Sequence, residues 1–501
     1  MKKRYLTILL IIFLQQSIIL PVTNYDFDFQ TPTPGIPSSL DNPYDFTFNV
    51  LLSVDDSKWA HHVEPTMAIG DNNTIFVGWK NAIEHDGGGR GVSFTYSKDS
   101  LNWSYPDDMA PAWSTGSGQS DPWMVYFNHT LYYSYLEFST GTQDPGRISF
   151  AQTSDLGLHW KQVRASYGTG DYADKETFAI GHDGVIYLVY SDVHSSGSTS
   201  NAWVRLTRSF DGGNTFVDNV TISDTKGIDI SANVLPGRSG NVYCVWTHYS
   251  WEEGEVSPNP ELSTLVYDNS TDSGNTFGRD RDFIPEYNAT WSMRNPENNR
   301  SAKHTIAIIK QEPITERLYV TWADVSTNVK VPESNWDVFF RYSDDLGITW
   351  SDIVRVNSQL GANQWNPDME FDSKGNVHFV YYDESSPQGR HVRHRIFYPD
   401  LNEFSSEAQV TTEASSPDFT RPGEYMSIRI DSDDIPHIVW TDARSNALDI
   451  YYTSPNLSGP ESKSPSFASL PLYLAFLLIV TVVLRIRRSK RKNVKRRLLH
   501  K

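Results

Sequence analysis

The chain has 501 residues and a formal net charge of −18, from 61 Asp and Glu against 43 Lys and Arg. A surface that acidic repels nucleic acid and anionic lipid, so neither is expected as a partner of its main body. The single cysteine, Cys244, rules out an internal disulfide and, inside an apolar run, reads as a small core residue.

At the N-terminus Lys2, Lys3 and Arg4 precede an apolar run ending at Leu14, which outlines a secretory signal over residues 1–22. Residues 23–43, rich in Pro, Asp and Ser, form a linker. The stretch FTFNVLLSV, 46–54, then reads as a strand with no partner beside it in sequence.

From here a four-strand pattern recurs. Its second strands are the segments beginning at Ile75, Leu131, Ile186, Val242, Leu318, Val377 and Pro436. Each has Trp or Tyr at its fifth place and a polar or acidic residue at its seventh, a column of Asn81, Glu137, Asp192, His248, Asp324, Asp383 and Asp442. A shorter apolar strand precedes each of them. Third strands lead to a turn with the template Ser, any, Asp, any, Gly, any, Thr, aromatic.

That template is met by SFDGGNTF at Ser209, STDSGNTF at Ser270 and SDDLGITW at Ser343, with TSDLGLHW at Thr153 close to it. Shortened forms stand at Ser97 and Tyr398. The aspartates are Asp99, Asp155, Asp211, Asp272, Asp345 and Asp400, with gaps of 56, 56, 61, 73 and 55 residues, the period of repeated supersecondary units. Each Asp can accept backbone N–H bonds across a tight turn, the Gly supplies positive φ, and the aromatic plugs the turn onto the sheet. These aspartates are therefore expected to be structural rather than catalytic.

Residues 455–466 form a Ser- and Pro-rich stalk, and 467–484 is an uncharged stretch long enough to span a bilayer. The tail 485–501, with ten Lys and Arg and no acid, would stay on the cytoplasmic side. Eight N-x-Ser/Thr sequons agree with an exported body. The expectation is a cell-membrane protein with one C-terminal transmembrane helix and an N-terminal ectodomain, 44–454, outside.

The turn template resembles the Asp-box, or bacterial neuraminidase repeat, of sialidase-like β-propellers. The resemblance implies an all-β propeller in which the template joins the third and fourth strands of a blade. The columns count seven four-stranded blades, the last completed by the N-terminal strand pairing with 448–453, which leaves no open edge. Six blades, as in sialidases proper, is the alternative.

In propellers of this kind the ligand sits over the channel mouth. The residues placed there are Glu64, Asp121, Glu176, His304 and Asp368 before first strands, with Asp383 and Asp442 after second strands. For any one of them, capping a strand competes with contacting a ligand. The resemblance further implies a Tyr nucleophile activated by a Glu, an Asp acid/base and three Arg gripping a sugar carboxylate. PGEYMSIRI resembles the family's Tyr segment and places Tyr425 as nucleophile with Glu424 beside it. Arg390 or Arg393 could stand for one gripping Arg. The family's Arg-Ile-Pro motif is absent, WAHHVEP occupying its place, and at most two of the three Arg positions can be filled. Recognition of a glycan or protein at the cell surface is thus the leading reading. The alternatives are an exo-acting glycoside hydrolase and a structural or adhesive ectodomain whose carboxylates take Ca²⁺. No other cofactor is expected.

Overall fold

The computed structural model describes residues 40–54, 59–83, 89–110, 117–139, 146–166, 170–196, 199–249, 263–284, 306–325, 336–416, 425–445, 447–455 and 457. The signal segment 1–22, most of the linker, nearly all of the stalk, the 467–484 stretch and the basic tail lie outside them, as do His304 and Glu424. Among the described residues the fold is all-β, and the one helical element is a 3-10 turn, Asp71–Asn73. No helix among them is long and apolar enough to cross a membrane.

The strands fall into seven antiparallel runs in sequential order. The first run is His61–Ile69, Ile75–Ala82, Gly89–Ser97 and Asp107–Asp108. The third and fourth share one sheet through a single parallel bridge, Ala202 to Ile228. The first strand of each run touches that of the next, and that of the seventh touches that of the first.

The fifth-place column explains why the sheets stack. Trp79, Tyr135, Tyr190, Trp246, Trp322, Tyr381 and Trp440 are all fully buried, each sealing the space against a neighbouring sheet. Burying one such ring contributes roughly 2–3 kcal/mol. Close approach also needs small residues: a Cβ on Gly78 would meet the Tyr133 hydroxyl at 2.6 Å and Met124 Cε at 2.7 Å in the next sheet.

The aspartate turns close as their composition requires. Asp211 accepts from Asn214 N at 3.0 Å, Thr215 N at 2.9 Å and Thr215 Oγ1 at 2.7 Å, while Gly213 adopts φ 81°. Bonds led by that from the Thr215 hydroxyl hold the Asp211 carboxyl down to about 2. Asp272 and Asp345 repeat the pattern, and Asp155 and Asp99 accept equivalent backbone bonds. The closing aromatic crosses to the preceding sheet: Trp160 onto Phe94, Phe216 onto Phe150, Trp350 onto Tyr267, and Trp103 onto Tyr452 of the last run. The turn at Asp400 is closed by backbone bonds instead, from Leu401 N and Asn402 N to Tyr398 O and Pro399 O.

The N-terminal segment is a strap. Leu40 O accepts from Ser406 N, and Asn42 binds Ser406 and the buried His394 of the sixth run. Phe46 is buried with its ring 5.6 Å from that of His394. The chain then crosses to the seventh run, where Val50 pairs with Tyr452 and Leu51 with Tyr451. The strand has two residues rather than the nine expected for 46–54, because its flanks bond by other means. Thr453 Oγ1 donates to Phe48 O at 2.7 Å, and Ile450 N to Ser53 Oγ at 3.0 Å.

His394 lies in a buried chain: Asp372 neighbours His378 Nε2 at 3.7 Å, His378 Nδ1 meets His394 Nε2 at 3.0 Å, and Asn42 Nδ2 meets His394 Nδ1 at 3.2 Å. Burial, with His378 adding, holds the His394 imidazole well below its usual range. The folded state therefore binds fewer protons there than the unfolded state, so stability falls as pH drops below about 6.5.

Two outcomes follow from the strap. Phe46→Ala should cost about 3–5 kcal/mol in denaturant unfolding, as expected for an aromatic removed from a packed site. His394 should lower stability as pH goes from about 7 to 5, so His394→Gln should raise the Tm at pH 5 relative to that at pH 7 when compared with the wild type. A slope unchanged by the substitution would remove the histidine from the account.

Candidate functional site

The site grows out of a repeated irregularity in the first strands. Pairing with the second strand slips by a residue between Val63 and Thr66, Ser120 and Trp123, Asp174 and Thr177, Ile230 and Asn233, and Trp365 and Asp368. At each slip a residue other than glycine has positive φ: Glu64 at 58°, Asp121 at 52°, Lys175 at 51°, Ser231 at 58° and Asn366 at 49°. Such residues are uncommon, and a bulge turns its side chain away from the ladder. Three are followed by proline, Pro65, Pro122 and Pro367, which has no N–H to leave unpaired at the slip. Counted back from the paired ends, Tyr425 occupies the same register in the seventh run and Ile306 in the fifth.

Four members of this register converge. Lys175 Nζ lies 2.5 Å from Asp121 Oδ1 and 3.4 Å from the Tyr425 hydroxyl, which donates to Asp121 Oδ1 at 3.0 Å. The Lys175 ammonium is also 5.4 Å from the centre of the Tyr425 ring. Glu64 accepts from Lys80 Nζ at 2.8 Å and from Asp121 N at 3.1 Å. Two further carboxyls flank Lys175. Neither oxygen of Glu176 meets a hydrogen-bonding neighbour among the described residues.

Burial dominates the electrostatics. It pushes Asp174 up to about 6, with Asp121 adding and Lys175 opposing. Glu176 is raised well above its ordinary value by burial, with Asp121 adding, so its surroundings favour the uncharged form. Burial and then Asp121 raise the Tyr425 hydroxyl well above its ordinary value, which keeps its proton on. For Lys175 burial opposes the charge, but Asp121 and then Tyr425 and Glu64 outweigh it and hold the ammonium protonated. The cluster is a desolvated proton-bearing network of the kind found where titratable groups are put to use.

Beneath it, Tyr425, Trp123, Ile306, Asn366, Asp368 and Arg429 line a cavity of ≈ 20 Å³, on the order of one water.

The other expected residues are placed as follows. Asp368 falls two positions beyond the bulge, where its Oδ2 accepts from Ile428 N and Arg429 Nη1, both at 3.0 Å. Thr66 and Asn233, in the same register, likewise bind the N–H of Met124 and Ile309 in the next first strand. Asp368 is thus an inter-sheet tie that also borders the cavity. Asp383 and Asp442 end their second strands and are committed to neighbours. Both are buried, Asp383 bonded to Gln364, Ser385 and Arg393, and Asp442 to Trp440 and Arg444. Strand-end donors claim them. Arg393 is correspondingly held by Asp383 at 2.9 Å. Glu176 stands one residue off the register, which Lys175 fills, because the bulge inserts a residue that alternation cannot count. The acid-Pro and Asn-Pro dipeptides at residues 64, 121 and 366 were the available signal. Among the described residues no group of three or more His, Cys, Asp or Glu is placed to hold a metal ion.

Lys175→Met should cost on the order of 3–5 kcal/mol, because Asp121 would be left buried without its cation. Glu176→Gln tests the uncharged acid. In the wild type the unfolded chain ionises first as pH rises past about 4.5, so this group's contribution to stability declines with rising pH above that point. The variant should lose that decline in thermal melts, and parallel pH profiles would contradict it.

No family model and no curated protein matches the chain. Solved structures do. A polysaccharide lyase of family PL25, an ulvan lyase bound to -[GlcA(1-4)Rha3S]-, aligns at 10% identity over 84% of this chain and 95% of its own, with a TM-score of 0.50. A Dyadobacter fermentans protein of unknown function aligns at 13% identity over 72% and 99%, TM-score 0.47. Trypanosoma rangeli sialidase with the inhibitor DANA aligns at 12% over 73% and 60%, TM-score 0.46. At these identities the likeness to the lyase is one of fold, and the described residues form an all-β, propeller-like body.

Proposed function

We propose that the chain is a seven-bladed β-propeller of four-stranded blades, closed by the pairing of Val50 and Leu51 with the last blade. In this reading it recognises a glycan at the bulged ends of its first strands. A cleaved signal over 1–22 and a span over 467–484 would display it outside the cell. The observation that carries the reading is the convergence of Tyr425, Asp121 and Lys175 on the bulge register. A hydroxyl, an ammonium and carboxylates fixed on rigid strands offer the mixed donors and acceptors that a polyhydroxylated ring requires, and Trp123 and Tyr425 supply aromatic surface beside them. The saccharide bound to the lyase that shares this fold supports a ligand of that class.

Glycan cleavage is the second reading. Glu176 favours it, as an uncharged acid beside the paired carboxylate Asp121 makes a proton donor and a charge-stabilising partner. Sialidase-type hydrolysis has less support: Arg393 is committed to Asp383, and the Tyr425 proton is held rather than released.

The test is a glycan array followed by calorimetry on the full chain, with fluorogenic sialosides and other glycosides in parallel. Tyr425→Phe should weaken a bound glycan about 5- to 10-fold, the worth of one hydrogen bond, with no turnover in either protein. Turnover abolished in Glu176→Gln or Tyr425→Phe would promote cleavage. Absence of both binding and turnover would end both readings.

A further inference from the structure

We propose that the face carrying the aspartate turns rests on the outer lipid surface of the membrane, so that the Tyr425 cluster points away from it. The inference depends on the reading of 467–484 as a membrane span, and it adds which end of the body meets the bilayer.

The first argument is where the chain leaves. The strand Asp449–Thr453 runs toward the turn end, with Thr453 paired to Ile438. The last described residue, Leu457, stays there: its carbonyl accepts from Thr47 Oγ1 at 3.0 Å, and its side chain is buried in the cluster that holds Tyr452, with Trp103, which closes the Asp99 turn, packed against it. The N-terminal strap enters at the same end, Leu40 bridging to Ser405 beside Phe404 of the Asp400 turn.

The second argument is length. Nine residues, 458–466, separate Leu457 from the apolar stretch, about 30 Å when fully extended. A first strand such as His61–Ile69 has nine residues and rises about 30 Å. A taut stalk running up the side of the body would be spent on reaching the level of the opposite rim. Only the turn end can face the bilayer with chain to spare.

The third argument is the surface itself. The tips of five turns carry exposed apolar side chains, Leu101, Leu158, Phe210, Ile348 and Leu401, with Leu158 79% and Ile348 76% exposed. One such residue would be ordinary. Five stand at the end where the chain departs, able to dip into a headgroup layer, while at the other end Ile83 and Leu360 are among the exposed apolar residues. The turn carboxylates beside them stay charged, which disfavours anionic lipid, so the surface suited to this face is zwitterionic phospholipid.

The experiment uses the full chain in a Cys244→Ala background, reconstituted in phosphatidylcholine vesicles containing doxyl-labelled lipid. A polarity-sensitive fluorophore is placed by Leu158→Cys or Ile348→Cys at the turn end, and by Ile83→Cys or Leu360→Cys at the other. Doxyl lipid should cause loss of fluorescence at 158 and 348 and none at 83 and 360. The reverse pattern, or equal response at both ends, overturns the proposal. So does mutual shielding of the turns by a second copy, seen as doubled mass with no lipid quenching. A chain that fails to float with vesicles ends the membrane reading and this proposal together. One that floats with unquenched turn labels ends only the orientation.

Discussion

A sheet whose second strand buries a Trp or Tyr at its fifth place has an apolar face that water must not reach, and it needs a neighbour to cover that face. Seven fully buried rings in equivalent positions extend this demand to every run of strands, so none is stable by itself. The remaining devices meet the demand at particular places. Gly78 lets one sheet approach the next, and closing aromatics such as Trp160 and Phe216 reach back to the preceding sheet. The buried Arg341 and Arg395 donate to Phe283 O and Val356 O, carbonyls that follow the fourth strand of the preceding run.

The two ends of the first strands are then built for different work. At the turn end Asp and Gly close the loops, with positive φ at Leu156, Ser273 and Leu346 as well as at the glycines. At the other end five residues hold positive φ in register, a strain tolerated only where the surrounding sheets over-determine it. The strain has a result: it turns Glu64, Asp121 and Lys175 out of the ladder and toward one another, with Tyr425 completing the group. Rigid strands supply the positional accuracy that loops would not.

Much of this was legible in the sequence. The columns at the fifth and seventh places, the aspartate turns and the first-to-last pairing depend on local period and on turn chemistry, which residue types encode directly. The strap over 40–46 was not legible, because Asn42 and His394 meet across the fold with no periodicity to mark them. The candidate site was half legible. Tyr425, Asp121 and Glu64 do come together on one register, but Lys175 was missed for Glu176, since a bulge shifts which residue faces where and alternation assumes there is none. Arg393 was named because an arginine on that strand suited a carboxylate grip, and the residue that claims it, Asp383, was itself assigned elsewhere.

The carboxylates divide by what stands within reach of each. Asp383 and Asp442 sit at strand ends where Arg393, Gln364, Trp440 and Arg444 donate to them, and Asp368 is consumed in holding the next strand's N–H. A buried acid so satisfied has no capacity left for a ligand. Glu176 is the opposite case: buried as deeply, it has no neighbour to satisfy it among the described residues. Such a group costs less protonated than ionised, and a protonated acid beside Asp121 and Lys175 would have a donor to offer a ligand. What a sequence rich in Asp and Glu cannot announce is which acid lacks a partner. That deficit, more than the abundance of carboxylates, distinguishes this end of the molecule.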